Sequence, residues 1–347
     1  MSTDTVAPQI WGANPTIWKQ GFAFDPMLGI RVYDHVDKTL LPTDVVVTGT
    51  VDVNVPGDYT VTYTLDDASG NEVVHNRVVT VQAVAGFVDP RIVFVDGDFE
   101  AQTAITNLDT NNGWTLKAGT GTGTWNPHQF VDGHLEIDIT FVGTVPHSIQ
   151  FFQRNSFKFE AGSTYILSFK AKADVARDIR VILENPSANF ANYTLHQVEL
   201  TTGWTTFELV IHNNQLSTAD AKIGFFLGLI ETDKPEKSSI GKVYFDDVSL
   251  TLVGYTKDTD APRIWAAPGT VVQNAVFNPL TVVKYGDHAK NPTLVITSAT
   301  EGLVTENAGV YTINTATVGT FTLIYTLTDH YGNVTVYERT LTVTDPV

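Results

Sequence analysis

Side chains on an extended strand alternate between two faces. The run Ser148-Ile149-Gln150-Phe151-Phe152-Gln153 therefore sorts itself: Ser148, Gln150 and Phe152 share one face, and Ile149 and Phe151 share the other. An amide beside an aromatic ring suits a polyhydroxylated ligand. The amide donates and accepts hydrogen bonds, and the ring offers an apolar surface for C–H groups. The same alternation in 178–184 puts Arg180, Ile182 and Glu184 on one face, opposite Val181 and Leu183. Arg180 and Glu184 would form a charged pair able to bond hydroxyls. In 222–229 it separates Phe226 from Phe225 and Leu227. Two loops offer further rings. Trp125 follows the Gly- and Thr-rich stretch 119–123, and 186–193 can present Phe190 or Tyr193.

Other chemistries lack their residues. Glycosidic hydrolysis needs two carboxylates ~5–10 Å apart across one bond. Glu184 is the only carboxylate these patterns place beside the rings. The nine histidines form no His-Glu-x-x-His or His-x-His, and no nucleophile elbow or phosphate-binding glycine loop occurs. The absence of cysteine removes thiolate nucleophiles, disulfides and Cys-ligated metals. No catalytic activity is expected. With 21 Lys plus Arg against 38 Asp plus Glu, the net charge of −17 argues against nucleic acid and anionic lipid as partners. No apolar run approaches the ~18 residues of a membrane helix.

The 347 residues suggest two or three domains. Within the middle of the chain, strands are expected at 134–141, 148–153, 164–171, 178–184, 205–211, 222–229 and 242–252. No long stretch keeps a helical period. A repeat brackets this region. Ala7-Pro8-Gln9-Ile10-Trp11 recurs as Ala261-Pro262-Arg263-Ile264-Trp265, and Phe24-Asp25-Pro26 as Phe277-Asn278-Pro279. Tyr33-Asp34 has a counterpart in Tyr285-Gly286-Asp287, and Gly57 to Leu65 matches Gly319 to Leu327. Gly70-Asn71 then matches Gly332-Asn333, between alternating runs that read as a hairpin. Trp11 and Trp265 are expected to pack equivalent cores, and Trp114 and Trp204 to be core residues of the middle region.

Each repeat resembles the Ig-like domains of bacterial surface proteins and multimodular glycan-degrading enzymes. The middle region resembles carbohydrate-binding modules of the family 4, 9, 16 and 22 group. It carries Asp96-Gly97-Asp98-Phe99-Glu100, then Gly113-Trp114, Gly133-His134-Leu135-Glu136-Ile137 and Ser148 to Gln153. Glu160-Ala161-Gly162-Ser163-Thr164-Tyr165 with Ile166 to Lys172 follows, then Gly203-Trp204, Phe225-Phe226-Leu227-Gly228 and Phe245-Asp246-Asp247-Val248-Ser249-Leu250. Their order matches the group's pattern across nearly the whole module.

The resemblance implies a two-sheet jelly roll with Ile149 and Phe151 in its core. Gln150, Phe152, Arg180, Glu184 and Phe226 would then line a concave cleft, with Trp125, Phe190 and Tyr193 at its rim. It also implies a structural Ca²⁺ where the opening segment meets the last strand, at positions matching Asp98, Glu100 and Asp246. The reading is an all-β chain: an Ig-like domain at 1–86, a jelly-roll module at 87–254 and an Ig-like domain at 255–347. The expected partner is a polysaccharide or oligosaccharide, with β-1,3-glucan of the laminarin type favoured. The protein is read as a secreted or cell-surface monomer whose signal peptide is absent from this sequence, with any catalytic domain elsewhere. The alternative is a structural or adhesin stalk that binds no glycan.

Overall fold

A computed structural model describes residues 4–87, 97–100, 113–153, 157–214, 217–256, 258–286, 292–329 and 332–346. These contain strands and short 3₁₀ turns, and no α-helix. The all-β reading holds, and three hydrophobic clusters mark three cores.

The first module contains β1 (Gln9–Trp11), β2 (Thr16–Lys19), β3 (Arg31–Tyr33), β4 (Val46–Thr48), β5 (Gly57–Asp66) and β6 (Glu72–Gln82). β5 and β6 form a long hairpin. Alternation along them buries Val61, Tyr63 and Leu65 on one strand and Val79 and Val81 on the other. Their turn is closed by Asp67, which accepts from the backbone N–H groups of Ser69 and Asn71. Gly70, at φ 84°, supplies the left-handed residue.

The central module contains β7 (Trp114–Ala118), β8 (Thr124–Trp125), β9 (Gln129–Val131), β10 (His134–Phe141), β11 (Ile149–Gln153), β12 (Phe157–Phe159) and β13 (Ser163–Ala173). It continues through β14 (Arg177–Asn185), β15 (Ala191–Leu200), β16 (Thr205–His212), β17 (Thr218–Phe226) and β18 (Gly241–Thr256). One sheet runs β16-β13-β18-β10, with β8 and β9 on β10. The other runs β15-β14-β17-β11-β7, with β12 on β17. Their inner faces share one aromatic core, in which Trp114 stacks on Phe151 at 4.9 Å.

The last module contains β19 (Arg263–Ala266), β20 (Gly269–Val272), β21 (Val283–Gly286), β22 (Thr293–Thr297), β23 (Val304–Asn307), β24 (Val310–Ile313), β25 (Gly319–Thr328) and β26 (Val334–Thr344). Its pairings repeat those of the first module. β1–β3 is matched by β19–β21, and parallel β2–β6 by parallel β20–β26. The buried Tyr63 hydroxyl donates to the Pro26 carbonyl, and that of Tyr325 to the Pro279 carbonyl.

Three tryptophans depart from expectation, whereas Trp114 is buried as expected. Trp11 is half-buried against Tyr33, and Trp265 is 53% exposed. Alternation gives the core positions to their neighbours Ile10 and Ile264 instead. Trp204 is 42% exposed, because it precedes β16 in a turn and lies edge-on to His134 and Tyr244. Trp18 is a core residue of the first module, 2% exposed.

β18 runs past Gly254 through Thr256 and pairs there with β2, so one sheet spans the first and central modules. The join is close because Gly254 has no side chain. A Cβ there would lie 2.2 Å from Trp18 Cε3 and 2.9 Å from the Ile17 carbonyl oxygen. Gly254→Ala should therefore cost about 1–3 kcal/mol, the usual penalty of overpacking. Gly203→Ala, which meets nothing within 4 Å, should be near neutral. Urea unfolding of the two variants checks this.

Candidate functional site

The candidate site is the outer face of the β15-β14-β17-β11-β7 sheet. Its inner face is fixed by core burial of Trp114, Ile149, Phe151, Ile223, Phe225, Val181 and Leu183. The intervening residues must point outward, and the register arranges them in rows. Lys117, Gln150, Phe226, Arg180 and Gln197 lie side by side on β7, β11, β17, β14 and β15. The next row is Thr115, Phe152, Gly224, Ile182 and Leu195. Neighbouring strands are ~4.8 Å apart, so each row runs across the sheet as a strip. Gly224 has no side chain between Phe152 and Ile182, and a Cβ there would touch both at 3.4 Å. The second row therefore dips at its centre.

Along the strands, the third row joins Lys222 to Glu184. Their Nζ–Oε1 distance is 2.7 Å, and side-chain exposures are 8% and 6%. The Lys222 ammonium lies 3.9 Å from the Phe152 ring centroid and 5.6 Å from that of Phe190. Both rings thus cover a desolvated ion pair. Asn189 and Phe190 adopt left-handed backbone, φ 53° and 57°, which turns the chain from the 3₁₀ turn at Pro186–Ala188 into β15.

At the other end, the Gln150 amide donates to the His147 carbonyl at 3.1 Å, leaving its oxygen available. The His147 ring lies 5.9 Å from Phe226 and bonds Thr120 through Nε2. A Cβ on Gly119 would lie 2.5 Å from Gln150 Nε2, so this glycine lets the 119–123 loop pack on Gln150. Arg180 is half-buried, and its Nε has no hydrogen-bond partner among the described residues. Gln197 donates to Asp178 at 2.8 Å and to Glu231 at 2.6 Å. The Glu231 carboxyl is held below its ordinary range by Lys234, then by Gln197, with Arg180 adding a smaller attraction. Beneath the face, buried Arg177 donates to the carbonyls of Leu227 and Ser239 and so pins the loop after β17. Burial lowers its guanidinium to about 10.

Of the expected residues, Gln150, Phe152, Arg180, Glu184 and Phe226 share this face, and exposed Phe190 stands at its edge. Four expectations need correction. Ser148 is fully buried in a 3₁₀ turn before β11, where its hydroxyl bonds the Thr120 carbonyl. Glu184 pairs with Lys222 rather than Arg180, because the register sets Lys222 directly opposite it. Tyr193 sits at a bulge in β15 and packs inward, edge-on to Phe159 at 5.3 Å. Trp125 lies on β8 in the other sheet, paired with Ile139, and packs against the core. It is not brought to this face.

The strand pattern read from sequence omitted β7 and β15, so Lys117 and Gln197 were missed. Lys222 was missed although its parity with Phe226 places it outward.

The ion implied at Asp98, Glu100 and Asp246 finds only part of its frame. The opening segment does meet the last strand, where Val248 N–H donates to the Gly97 carbonyl at 2.8 Å. However, Asp98 and Glu100 are exposed, and Lys170 pairs with Asp247 and approaches Asp246 at 4.0 Å. The three carboxylates do not form one cluster among the described residues. As arranged, this donor set does not fit an ion.

Comparison with known proteins agrees with the modules. Residues 8–81 match the family model for a bacterial surface protein Ig-like domain, and 93–235 match that for a carbohydrate binding domain. The resemblances read from the sequence of these two modules are thus borne out. No curated protein matches the chain. A solved structure described as "CBM4 structure and function" is 28% identical, covering 46% of this chain and 99% of its own, with a TM-score of 0.39. The N-terminal cellulose-binding domain of Cellulomonas fimi β-1,4-glucanase C is 18% identical, covering 42% and 91%, with a TM-score of 0.32. The second such domain of that enzyme is 21% identical, covering 43% and 90%, with a TM-score of 0.33.

Removing one member of a buried ion pair strands the other. Lys222→Met should destabilise the central module by about 3–5 kcal/mol, and Lys222→Met with Glu184→Leu by much less. A double-mutant cycle in guanidinium chloride measures this.

Proposed function

We propose that the central module is a non-catalytic carbohydrate-binding module, and that the outer β15-β14-β17-β11-β7 face holds a β-glucan chain. The observation that carries this is the row Gln150–Phe226–Arg180, an amide, a ring and a guanidinium on three adjacent strands, with Phe152 beside it. The family match supports the ligand class. The rings stack on sugar C–H faces, while Gln150 and Arg180 bond hydroxyls. Phe190 adds an exposed ring at one edge. A β-1,3-linked chain of the laminarin type is our preferred ligand. In this reading the Ig-like modules are spacers of a secreted or surface multimodular protein, monomeric, with any catalytic domain elsewhere.

Affinity electrophoresis of the full chain through laminarin, lichenan, xylan, a cellulose derivative and galactomannan tests the reading. Retardation by laminarin is expected. Gln150→Ala and Phe152→Ala should each weaken it about tenfold, roughly 1.4 kcal/mol, with the fold intact by near-UV circular dichroism. Retardation should change little between low and high salt, because stacking and neutral hydrogen bonds are weakly screened. Unchanged affinity in both folded variants would remove this face from the site. No retardation in any gel would favour the stalk reading instead.

A further inference from the structure

The first module holds a group of carboxylates outside the glycan face. Asp4 lies in the lead-in, Asp34 directly after β3, and Asp67 in the β5–β6 turn. Each offers one carboxylate oxygen, and these three oxygens lie within 4.8 Å of one another. Asp34 is 2% exposed and Asp67 is 7% exposed, so two of the three acids are desolvated.

Ordinary turn chemistry accounts for part of the arrangement. Asp34 Oδ1 accepts from the N–H groups of Val36 and Asp37, both at 2.7 Å. Asp67 accepts from Ser69 and Asn71, and Asp4 from the Val6 N–H. One atom is left over. Asp34 Oδ2 is buried and has no hydrogen-bond partner among the described residues. A buried carboxylate oxygen without a donor is costly. Among these residues no lysine, arginine or histidine forms an ion pair with any of the three. The Lys38 ammonium bonds the Asp34 carbonyl oxygen instead.

The frame around the cluster recurs. The Asn71 amide bridges Asp67 Oδ2 and the Asp4 carbonyl, at 2.7 and 3.3 Å. In the last module the Asn333 amide bridges Asp329 Oδ2 and the Asp258 carbonyl, at 2.7 and 3.2 Å. Duplication has thus kept the clasp that brings the lead-in acid to the hairpin turn.

We propose that Asp4, Asp34 and Asp67 bind a divalent cation, with Ca²⁺ as the ion. The donors are all hard oxygens of high negative charge, from three separate loops. Ca²⁺ accepts six to eight such ligands in flexible geometry, with carbonyls and waters completing the shell. The buried Asp34 Oδ2 becomes a ligand, and the ion ties the lead-in to one end of the Ig-like module.

The test is calorimetric titration of CaCl₂ into the full chain, stripped with chelator and dialysed into buffer containing Mg²⁺. The parent should bind Ca²⁺, and Asp4→Asn and Asp34→Asn should each lose one equivalent. Asp246→Asn should keep that equivalent, separating this site from any ion at the central module. Ca²⁺ should raise the parent Tm, and raise it less in Asp34→Asn, because a ligand held only by the folded state stabilises it. If burial makes Asp34→Asn misfold, the more exposed Asp4→Asn carries the test. No binding by the parent, or no lost equivalent in the folded Asp4→Asn variant, overturns the proposal.

Discussion

Strand β18 ties two modules of this chain together. Over Gly241–Thr256 it pairs with β10, with β13 along nearly its whole length, and finally with β2. Its central part closes one sheet of the jelly roll, while its end belongs to the first module. Val253 is part of the first module's core, and Ile166 packs against it. Arg77, 2% exposed, donates to Thr16 and Thr256 hydroxyls across the join. Asn14 reaches over to Asp258, at the start of the last module. A buried guanidinium must have acceptors, so this polar seam fixes the register between β2 and β18. The two covalently linked modules thereby share one continuous sheet.

The proposed ligand face belongs to the other sheet, and there a polar interaction does similar work. A lysine and a glutamate on adjacent strands, both nearly out of solvent, are covered by Phe152 and Phe190. Such a pair adds little net stability, but it penalises any register that separates its members. Sliding β17 against β14 by one residue would turn Lys222 toward the aromatic core and leave Glu184 without its partner. The same register sets Gln150, Phe226 and Arg180 in one row. The ion pair and the outward row Gln150–Phe226–Arg180 are two consequences of a single alignment.

Strand alternation made much of this legible in the sequence. Ile149 and Phe151 against Gln150 and Phe152 sort correctly by parity alone, as do Phe225 and Phe226. The repeated tyrosine and Gly-Asn turn marked the two related modules. What parity cannot supply is partnership between strands. Glu184 was assigned to Arg180, its neighbour along the chain, whereas its partner Lys222 lies one strand over. Ser148 follows the alternation but precedes the strand, because Pro146 starts a 3₁₀ turn. β15 was missed because 186–193 looks like a polar loop, although pairing with β14 extends it from Ala191. Trp265 was assigned to a core because it matches Trp11 in the repeat, yet it is exposed on β19, and Trp204 is exposed in the turn before β16.

The central claim is that glycan contacts the outer β15-β14-β17-β11-β7 face. Side-chain amide and aromatic NMR shifts of the full chain, followed during titration with a soluble laminarin oligosaccharide, test it directly. The account predicts that the Gln150 amide and the Phe152 and Phe226 rings shift together, while Trp125 and Trp204 on the opposite sheet stay fixed. Shifts centred on Trp125 and Trp204 with Gln150 unmoved would contradict it.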